Sequence, residues 1–442
     1  MGLKKILPLR TVTSTSAGLA FAAINFLAAT QVANLLLGSS AWIAVLIAGL
    51  FVVLSALSFS ELSGSFPSAA GIRLWTRLAF NDTFSLAFTL FYLTTVFIVI
   101  AADSFILAQA LMAGLPSVPG LLWIFLFLTL VLWVNLKGIR WVGALQDSTT
   151  FFLLASLVIL SFLALLAHPP ALHQFWNLQQ TNMPTAVAVG IFLYVGYEWV
   201  TPLAEEVRDA RLLPKGMFLA LALIGIGFGI FTLAASSLGV VAKHSLVPQL
   251  LVGREALGAF GEAWMVLITA VTAITTFNGS TVAASRLLFA LSREKKLPRR
   301  FGRLNRHFVP DFALYALYVI SLLFAALLFW TKTYTLLINL GATVESTMYV
   351  VAAAAVIRLR KIRPQTPRPF AIPMVRYFSG LSMVLFSILA LLSALAPDAL
   401  PDKAIPWTLL LSLLLFGLSF MYAFLYNRRY AITPKENPAT ER

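Results

Sequence analysis

Residues 191–207 read IFLYVGYEWVTPLAEEV, and this stretch decides how the chain can fold. It is an apolar run that contains Gly196, Pro202 and the acidic Glu198. Gly and Pro interrupt helices, and an interrupted helix is tolerated inside a membrane only where its freed backbone groups line a cavity or are buried in protein. In a chain that spans a membrane, the stretch therefore predicts a broken helix beside a cavity. A plain proline kink is the alternative.

The composition of the whole chain indicates a membrane protein. Of 442 residues, 60% are hydrophobic and 11% are charged, whereas a water-exposed surface is about a quarter to a third charged. The net charge of +15 does not indicate nucleic-acid binding, because the basic residues fall between long apolar runs. The chain has no Cys, which excludes disulfides and thiolate chemistry, and its four His form no metal-spaced cluster. We expect no metal and no cofactor.

Apolar runs long enough to cross a bilayer recur along the chain. A membrane helix needs about 20 mostly apolar residues, and Gly, Pro and charge clusters separate twelve such runs. The predicted fold class is an all-α integral membrane protein embedded in lipid. The predicted spans are 12–36, 41–60, 84–113, 120–136, 147–167, 184–205, 216–240, 264–288, 311–330, 334–356, 377–395 and 405–426.

The distribution of Lys and Arg predicts the orientation, because basic residues near helix ends are retained in the cytoplasm. Only Lys243, Arg254, Lys332 and Lys403 lie on one side of the predicted bundle, and the other 28 of the 32 lie on the opposite side with both termini. We therefore expect both termini to be cytoplasmic in a cell-membrane protein. The first run lacks an A-x-A cleavage site, so we expect a retained helix.

Three acidic residues lie inside apolar spans, where each costs at least about 2.5 kcal/mol on insertion scales. They are Asp103 in the third span, Glu198 in the sixth and Glu345 in the tenth. We interpret them as candidates for proton coupling and gating, or as partners of a cationic substrate. The alternative is that each accepts a structural hydrogen bond between helices.

Polar residues in the first span are further candidates for a site. Asn25 and Thr30 flank Ala28 and Ala29 in the middle of an apolar run, and a polar patch facing lipid is unfavourable. Small residues can alternatively mediate helix packing. Five helices separate this patch from Gly196, which is the spacing of a five-plus-five inverted repeat.

Several motifs resemble the amino acid, polyamine and organocation (APC) transporter superfamily. FLYVGYE at 192–198, followed by AEEVRDARLLP at 204–214, is similar to the signature of its sixth helix. Their order and spacing are more specific than any single motif, and the resemblance covers residues 12–375. The other landmarks are SELSGSFPSAAG at 60–71, NLKGIR at 135–140, SRLLFALSREKKLPRRF at 285–301 and LRKIRPQTPRPFAIP at 359–373.

The resemblance implies a five-plus-five inverted repeat with discontinuous first and sixth helices and two additional helices. It also implies secondary transport of an amino acid or related amine by alternating access, driven by protons or by exchange with a counter-substrate. The expected regions are a cytoplasmic N-terminus at 1–11, repeats at 12–167 and 184–356, two further helices at 377–426 and a cytoplasmic tail at 427–442.

By position, the resemblance also implies individual roles. Phe192 matches an aromatic that closes over the substrate, and Glu198 matches a glutamate linked to proton sensing. The predicted site lies between the first, third, sixth and eighth helices. The implied substrate-binding residues are Asn25, Ala28, Ala29, Thr30, Phe192, Val195, Gly196 and Ser280, with Ala28 to Thr30 standing where the family has G-S-G and meeting a substrate carboxylate through their backbone.

Two departures from the family pattern leave alternatives open. Replacing G-S-G by A-A-T makes a tight carboxylate cradle less permissive, and residues 151–156, FFLLAS, lack a lysine that substitutes for sodium in some relatives. Ser148, Thr149 and Thr150 could form a sodium site or bond back to their own helix.

The alternative functions are a polyamine or organic-cation transporter that uses Asp103 and Glu345, and a ligand-sensing receptor without transport. Nothing in the sequence suggests a channel filter or an enzyme, and it leaves the oligomeric state open.

Overall fold

The computed structural model describes residues 3–36, 40–170, 176, 181–238, 245–396 and 405–431. Over these residues the chain is built from helices, with one isolated bridge between Leu7 and Val207. Two residues used above to predict orientation, Lys243 and Lys403, lie outside the described residues, as does the tail from 432.

The helices follow one another with short connections. The sixth span divides into a helix, Met183–Phe192, and a 3₁₀ segment, Tyr197–Glu205. The helices are α1 (Leu9–Ala20), α2 (Ala23–Leu35), α3 (Ala41–Ser65), α4 (Ile72–Ala79), α5 (Asp82–Gly114), α6 (Gly120–Leu136), α7 (Ile139–Ala167), α8 (Met183–Phe192), α9 (Leu212–Ser237), α10 (Pro248–Arg293), α11 (Asp311–Thr331), α12 (Tyr334–Ile362), α13 (Val375–Ala394) and α14 (Trp407–Ala431).

The helices confirm an all-helical membrane protein. Within the described residues, ten helical segments are long and apolar enough to cross a bilayer, and they correspond to the second, third and fifth to twelfth predicted spans. The first predicted span is the pair α1 and α2, which bend by 62° at their junction. The fourth is α6, an apolar helix of 17 residues with the predicted bounds. Both predicted helix breaks, in the first and sixth spans, are therefore present.

Two helical regions differ from the prediction. The predicted spans leave residues 61–83 without a helix, but α4 lies there, with Arg73 and Trp75 buried. The eighth span was predicted at 264–288, but α10 begins at Pro248 and is interrupted at Leu257 and Gly258, where Gly258 has φ +62°. Helix α4 is amphipathic and α10 is interrupted, so neither extra segment belongs to a continuous apolar run in the sequence.

The broken helices lie at the centre of the bundle. Helix α1 packs against α7, α9, α10 and the 3₁₀ segment, while α2 packs against α8 and α9. Large apolar side chains such as Leu50, Leu323 and Trp330 are exposed on the outer helices, as expected of a surface that faces lipid. The polar side chains gathered at the centre are consequently shielded from lipid by the surrounding helices.

Candidate functional site

The first helix breaks at Phe21 and Ala22, between α1 and α2. Ala28, Ala29 and Thr30 lie inside α2, where the Thr30 hydroxyl donates to the Phe26 carbonyl at 2.7 Å. Ala28 to Thr30 therefore lie within a helix and not at its break, and their contact with a substrate carboxylate stays a prediction. The freed N–H groups belong to the start of α2, because only the first turn of a helix lacks internal acceptors.

Asp103 of α5 caps the start of α2. Its two carboxylate oxygens accept hydrogen bonds from the backbone N–H groups of Ala23 and Ile24, each at 3.1 Å. Ala22, the residue before α2, offers no side-chain cap, and Asp103 is fully buried. A carboxylate at this position satisfies two free donors and complements the positive end of the helix dipole. A capping contact therefore accounts for the acidic residue predicted in the third span.

The sixth helix breaks after Phe192, and its chain turns through Leu193 to Gly196 before the 3₁₀ segment. Gly196 has φ +107°, a left-handed conformation that favours glycine. A Cβ at Gly196 would also lie 3.3 Å from both the carbonyl carbon and oxygen of Leu19. The glycine is thus required for its backbone angle and for the close approach of the two breaks.

One amide side chain joins the two breaks. Asn25 Nδ2 donates to the Ala20 carbonyl at 2.6 Å, across the first break, and to the Leu193 carbonyl at 3.4 Å, in the second. Ser16 of α1 adds a hydrogen bond to the Tyr197 carbonyl at 2.5 Å. Carbonyl oxygens that the breaks would leave without partners are satisfied in this way.

A cavity of about 100 Å³ lies between the breaks. Its walls are mostly apolar, and the described residues that line it include no Lys, Arg or His. Ala28, Ala29, Thr30, Asp103 and Glu198 do not line it. The predicted site residues that do line it are Asn25, Phe192, Val195, Gly196, Ser280 and Glu345, and residues the sequence analysis did not single out, such as Thr95 and Trp199, join them.

Glu345 is the carboxylate that faces the cavity. It is 1% exposed, and its Oε1 accepts a hydrogen bond from Trp199 Nε1 at 2.9 Å. Among the described side chains and backbone groups, none donates to its Oε2. Glu345 therefore places an acidic group in the cavity wall, next to the carboxyl group of Glu198.

Glu198 lies behind the cavity, next to Glu345. Its two oxygens accept hydrogen bonds from the hydroxyls of Tyr92 and Tyr349, each at 3.0 Å, and its carboxylate also faces Glu345. The Tyr92 ring stacks on Trp199 at 4.4 Å. Two buried carboxylates are thus linked to the cavity through aromatic donors, and no basic side chain of the described residues pairs with them.

A polar network of neutral side chains joins α1, α7 and α10. Asn278 donates to Gln146 at 2.7 Å, and Thr150 and Thr275 donate to the carbonyls of Ser14 and Gly18, each at 3.1 Å. Ser148 and Thr149, candidates for a sodium site, bond back to carbonyls of their own helix. For Ser148 and Thr149, the structure therefore shows the alternative in which their hydroxyls bond back to their own helix.

A second group of carboxylates forms ion pairs with arginines. We call the region that contains these pairs the basic end of the bundle and define it by Arg73, Glu206, Arg286 and Arg360. Arg286 binds Glu206 through two hydrogen bonds of 2.9 and 3.0 Å, and neither side chain is more than 1% exposed. Arg360 pairs with Glu61 in the same two-pronged way. Arg73 pairs with both Asp82 and Glu294. These carboxylates, unlike those near the cavity, are matched by guanidinium groups.

Comparison with known proteins gives a family match over most of the chain. A profile of the family described as "Amino acid permease" matches residues 7–421. The chain is 27% identical over 357 residues to the human "Large neutral amino acids transporter small subunit 2", covering 74% of this chain but only 64% of that relative. It is 24% identical over 426 residues to "Branched-chain amino acid permease BcaP" of Bacillus subtilis, covering 89% of this chain and 87% of the relative. An uncharacterized transporter of Legionella pneumophila is 26% identical, with 80% and 82% covered.

Proposed function

This chain belongs to the amino acid permease family, and on that premise we propose that it moves an amino acid or a related small amine across the cell membrane by alternating access. The observation that supports this most is the cavity enclosed by two helix breaks in the middle of the bundle. Many transporters build their binding sites from discontinuous helices near the bilayer midplane. The substrate would bind in this cavity and become accessible from each side of the membrane in turn.

We propose roles for the lining residues from their places in the cavity. Phe192 stands at the end of α8 and would close over the substrate. The backbone at Val195 and Gly196 would contact its amino group, with Asn25 holding the two breaks together. Ser280 of α10 would complete the wall opposite the broken helices.

We propose that protons or a counter-substrate, and not sodium, drive the cycle. Thr150 and Thr275 already donate to carbonyls of α1, and Gln146 Nε2 lies 3.4 Å from the Ser14 carbonyl. The Ser14 and Gly18 carbonyls on this face of α1 therefore already accept hydrogen bonds from neutral donors, which makes them weaker ligands for a metal ion. Glu198, close to the cavity and paired with no basic side chain in the part of the chain that the structure describes, is our candidate for the titrating group.

The orientation and the internal repeats belong to the same proposal. The basic end would face the cytoplasm with both termini, since basic residues at helix ends are retained there. The repeats at 12–167 and 184–356 would contribute one broken helix each, α1 with α2 and α8 with the 3₁₀ segment.

Proteoliposomes containing the purified protein test transport directly. We expect saturable uptake of amino acids or amines that a pH gradient or an internal counter-substrate accelerates, and no stimulation when sodium replaces potassium. Saturable binding without uptake or exchange would overturn the proposal and favour a receptor.

Glu198→Gln tests proton coupling. Gln keeps the size of the side chain and can accept from one of the two tyrosines and donate to the other, but it cannot titrate, so we expect the pH dependence of uptake to flatten. The titratable groups around Glu198 are Tyr92, Tyr197, Tyr349 and Glu345. Glu255→Gln, on the exposed surface of α10, is the control and should keep the original profile. An unchanged profile in Glu198→Gln would remove this residue from the coupling mechanism.

A further inference from the structure

Two loops at the basic end of the bundle lie against each other. One joins α6 to α7, and the other precedes α11. Asn305 Nδ2 in the second loop donates to the Leu136 carbonyl in the first at 3.2 Å. Gly138 has φ +105°, and a Cβ there would lie 3.3 Å from the His307 carbonyl oxygen. The close approach of the two loops therefore requires a glycine and brings their side chains together.

Two adjoining pockets lie at these loops, with volumes of about 560 and 230 Å³. Both pockets are open to the surface and share Lys137, Arg306 and His307 in their walls. The other cationic residues of the walls are Arg303 in the first pocket and Lys4 and Arg140 in the second. Basic side chains from three separate parts of the sequence are thus gathered around one place.

The Lys and Arg side chains of these pockets are not matched by acidic ones. No carboxylate of the described residues forms an ion pair with them. One acidic residue, Asp311, lines the first pocket, and its Oδ1 accepts a hydrogen bond from the Phe312 N–H at 2.8 Å. The pockets therefore hold an excess of positive charge, which attracts anions.

Aromatic side chains place this charge at the level of a membrane surface. Lys137 Nζ lies 3.3 Å from the centroid of the Trp133 ring and 5.3 Å from that of Trp141. Both indoles are more than half exposed. Exposed Trp side chains of membrane proteins are enriched where the hydrocarbon meets the headgroups. The Lys137 ammonium is consequently held at the depth that phospholipid phosphates occupy.

An apolar surface continues from the first pocket along the outside of the bundle. Trp133 of α6 and Tyr315 of α11 line the pocket, and the two helices pack against each other. One turn further along these helices, Leu130 and Val319 are exposed as well. This surface would contact an acyl chain, whereas a free phosphate ion has no group to place there. The combination of cations and apolar surface therefore favours a lipid over a soluble anion.

We infer that the two pockets bind the headgroup of an anionic phospholipid, with its phosphate against Lys137, Arg303 and Arg306 and an acyl chain along α6 and α11. This lipid site is separate from the cavity between the helix breaks and does not depend on the transported substrate. Basic residues that only fix the orientation of a membrane protein need neither shared pockets nor aromatic neighbours.

Titration of the detergent-purified protein with lipids, followed by native mass spectrometry, tests the inference. We would compare phosphatidylglycerol with phosphatidylcholine carrying the same acyl chains. Each Lys or Arg near an anionic membrane surface strengthens binding about fivefold, so phosphatidylglycerol should bind at least about tenfold more tightly. Equal affinity for the two lipids would overturn the inference.

A triple variant locates the site. Lys137→Gln with Arg303→Gln and Arg306→Gln should remove most of the preference for phosphatidylglycerol. The control is a second triple variant with the same loss of charge at exposed positions that line neither pocket, Arg211→Gln with Lys215→Gln and Lys361→Gln. It should keep the preference. An unchanged preference in the first variant, or an equal loss in both, would overturn the inference.

Single variants and a soluble competitor complete the test. If the first triple variant does not fold, Lys137→Gln and Arg306→Gln carry the test separately, each with an expected loss of about fivefold in affinity for phosphatidylglycerol. Millimolar inorganic phosphate should leave lipid binding nearly unchanged, because it lacks the acyl chain. Displacement of the lipid by inorganic phosphate would indicate a site for a soluble anion and overturn the assignment to lipid.

Discussion

Buried carboxylates occur in two regions of this protein, and the two regions treat them differently. At the basic end, Glu206 and Glu61 each accept two hydrogen bonds from an arginine. Near the cavity, Glu198 and Glu345 face each other and accept hydrogen bonds from phenol and indole donors. A charge matched by a guanidinium group is neutralised within the protein, while one held by neutral donors can still respond to a proton or a cation. The first arrangement suits a structural contact, and the second suits a functional one.

The largest expected effect comes from breaking a matched pair. Arg286→Gln leaves Glu206 buried without its partner, which should lower the free energy of unfolding by about 3–5 kcal/mol. Thermal unfolding of the purified protein measures this loss. The double variant Arg286→Gln with Glu206→Gln should recover most of it, because no charge is then buried alone. Equal losses in the single and double variants would contradict the structural role of this pair.

A smaller effect is expected near the cavity. Tyr349→Phe removes one donor from Glu198 but leaves Tyr92, so the free energy of unfolding should fall by only about 0.5–1.5 kcal/mol, while the pH dependence of uptake shifts. Tyr194→Phe is a matched control, since the Tyr194 hydroxyl donates to the Val45 carbonyl and not to Glu198. Tyr194→Phe should lower the free energy of unfolding by a similar amount and leave the pH dependence of uptake unchanged. A shifted pH profile in both variants would contradict the specific role of the hydrogen bond between Tyr349 and Glu198.

The smallest effect should come from a matched pair that is not buried. Arg293 pairs with Glu205 at 2.6 Å, but the Arg293 side chain is 44% exposed. Arg293→Gln should change the free energy of unfolding by no more than about 1 kcal/mol, and less at high salt, because water screens the pair. The same unfolding measurements apply. A loss as large as that of Arg286→Gln would show that burial does not decide the strength of these pairs.

The sequence predicts the spans and the sixth-helix break well because both depend on local chemistry. Apolar runs of sufficient length form membrane helices wherever they occur. Gly196 permits a backbone angle that other residues rarely adopt, and Pro202 lacks an N–H. The same reasoning selected Glu198 and Glu345, since a carboxylate in an apolar run is conspicuous without any knowledge of its neighbours.

The position of the first break could not be predicted in this way. Phe21 and Ala22 include neither Gly nor Pro, and what stabilises the break is a carboxylate from α5 and the amide of Asn25. These contacts join residues far apart in the sequence, so the pattern of α2 alone does not show them. One signal was available. A buried Asp103 with no basic residue in its span needs N–H donors, and free N–H groups occur at helix starts.

The amide of Asn25 has a consequence for motion. Its hydrogen bond to Ala20 is short, at 2.6 Å, and its bond to Leu193 is longer, at 3.4 Å. If the two broken helices separate, the weaker bond will break first, and the amide will travel with the first helix. The Leu193 carbonyl, next in the chain to the cavity-lining Phe192, is then released as an additional acceptor.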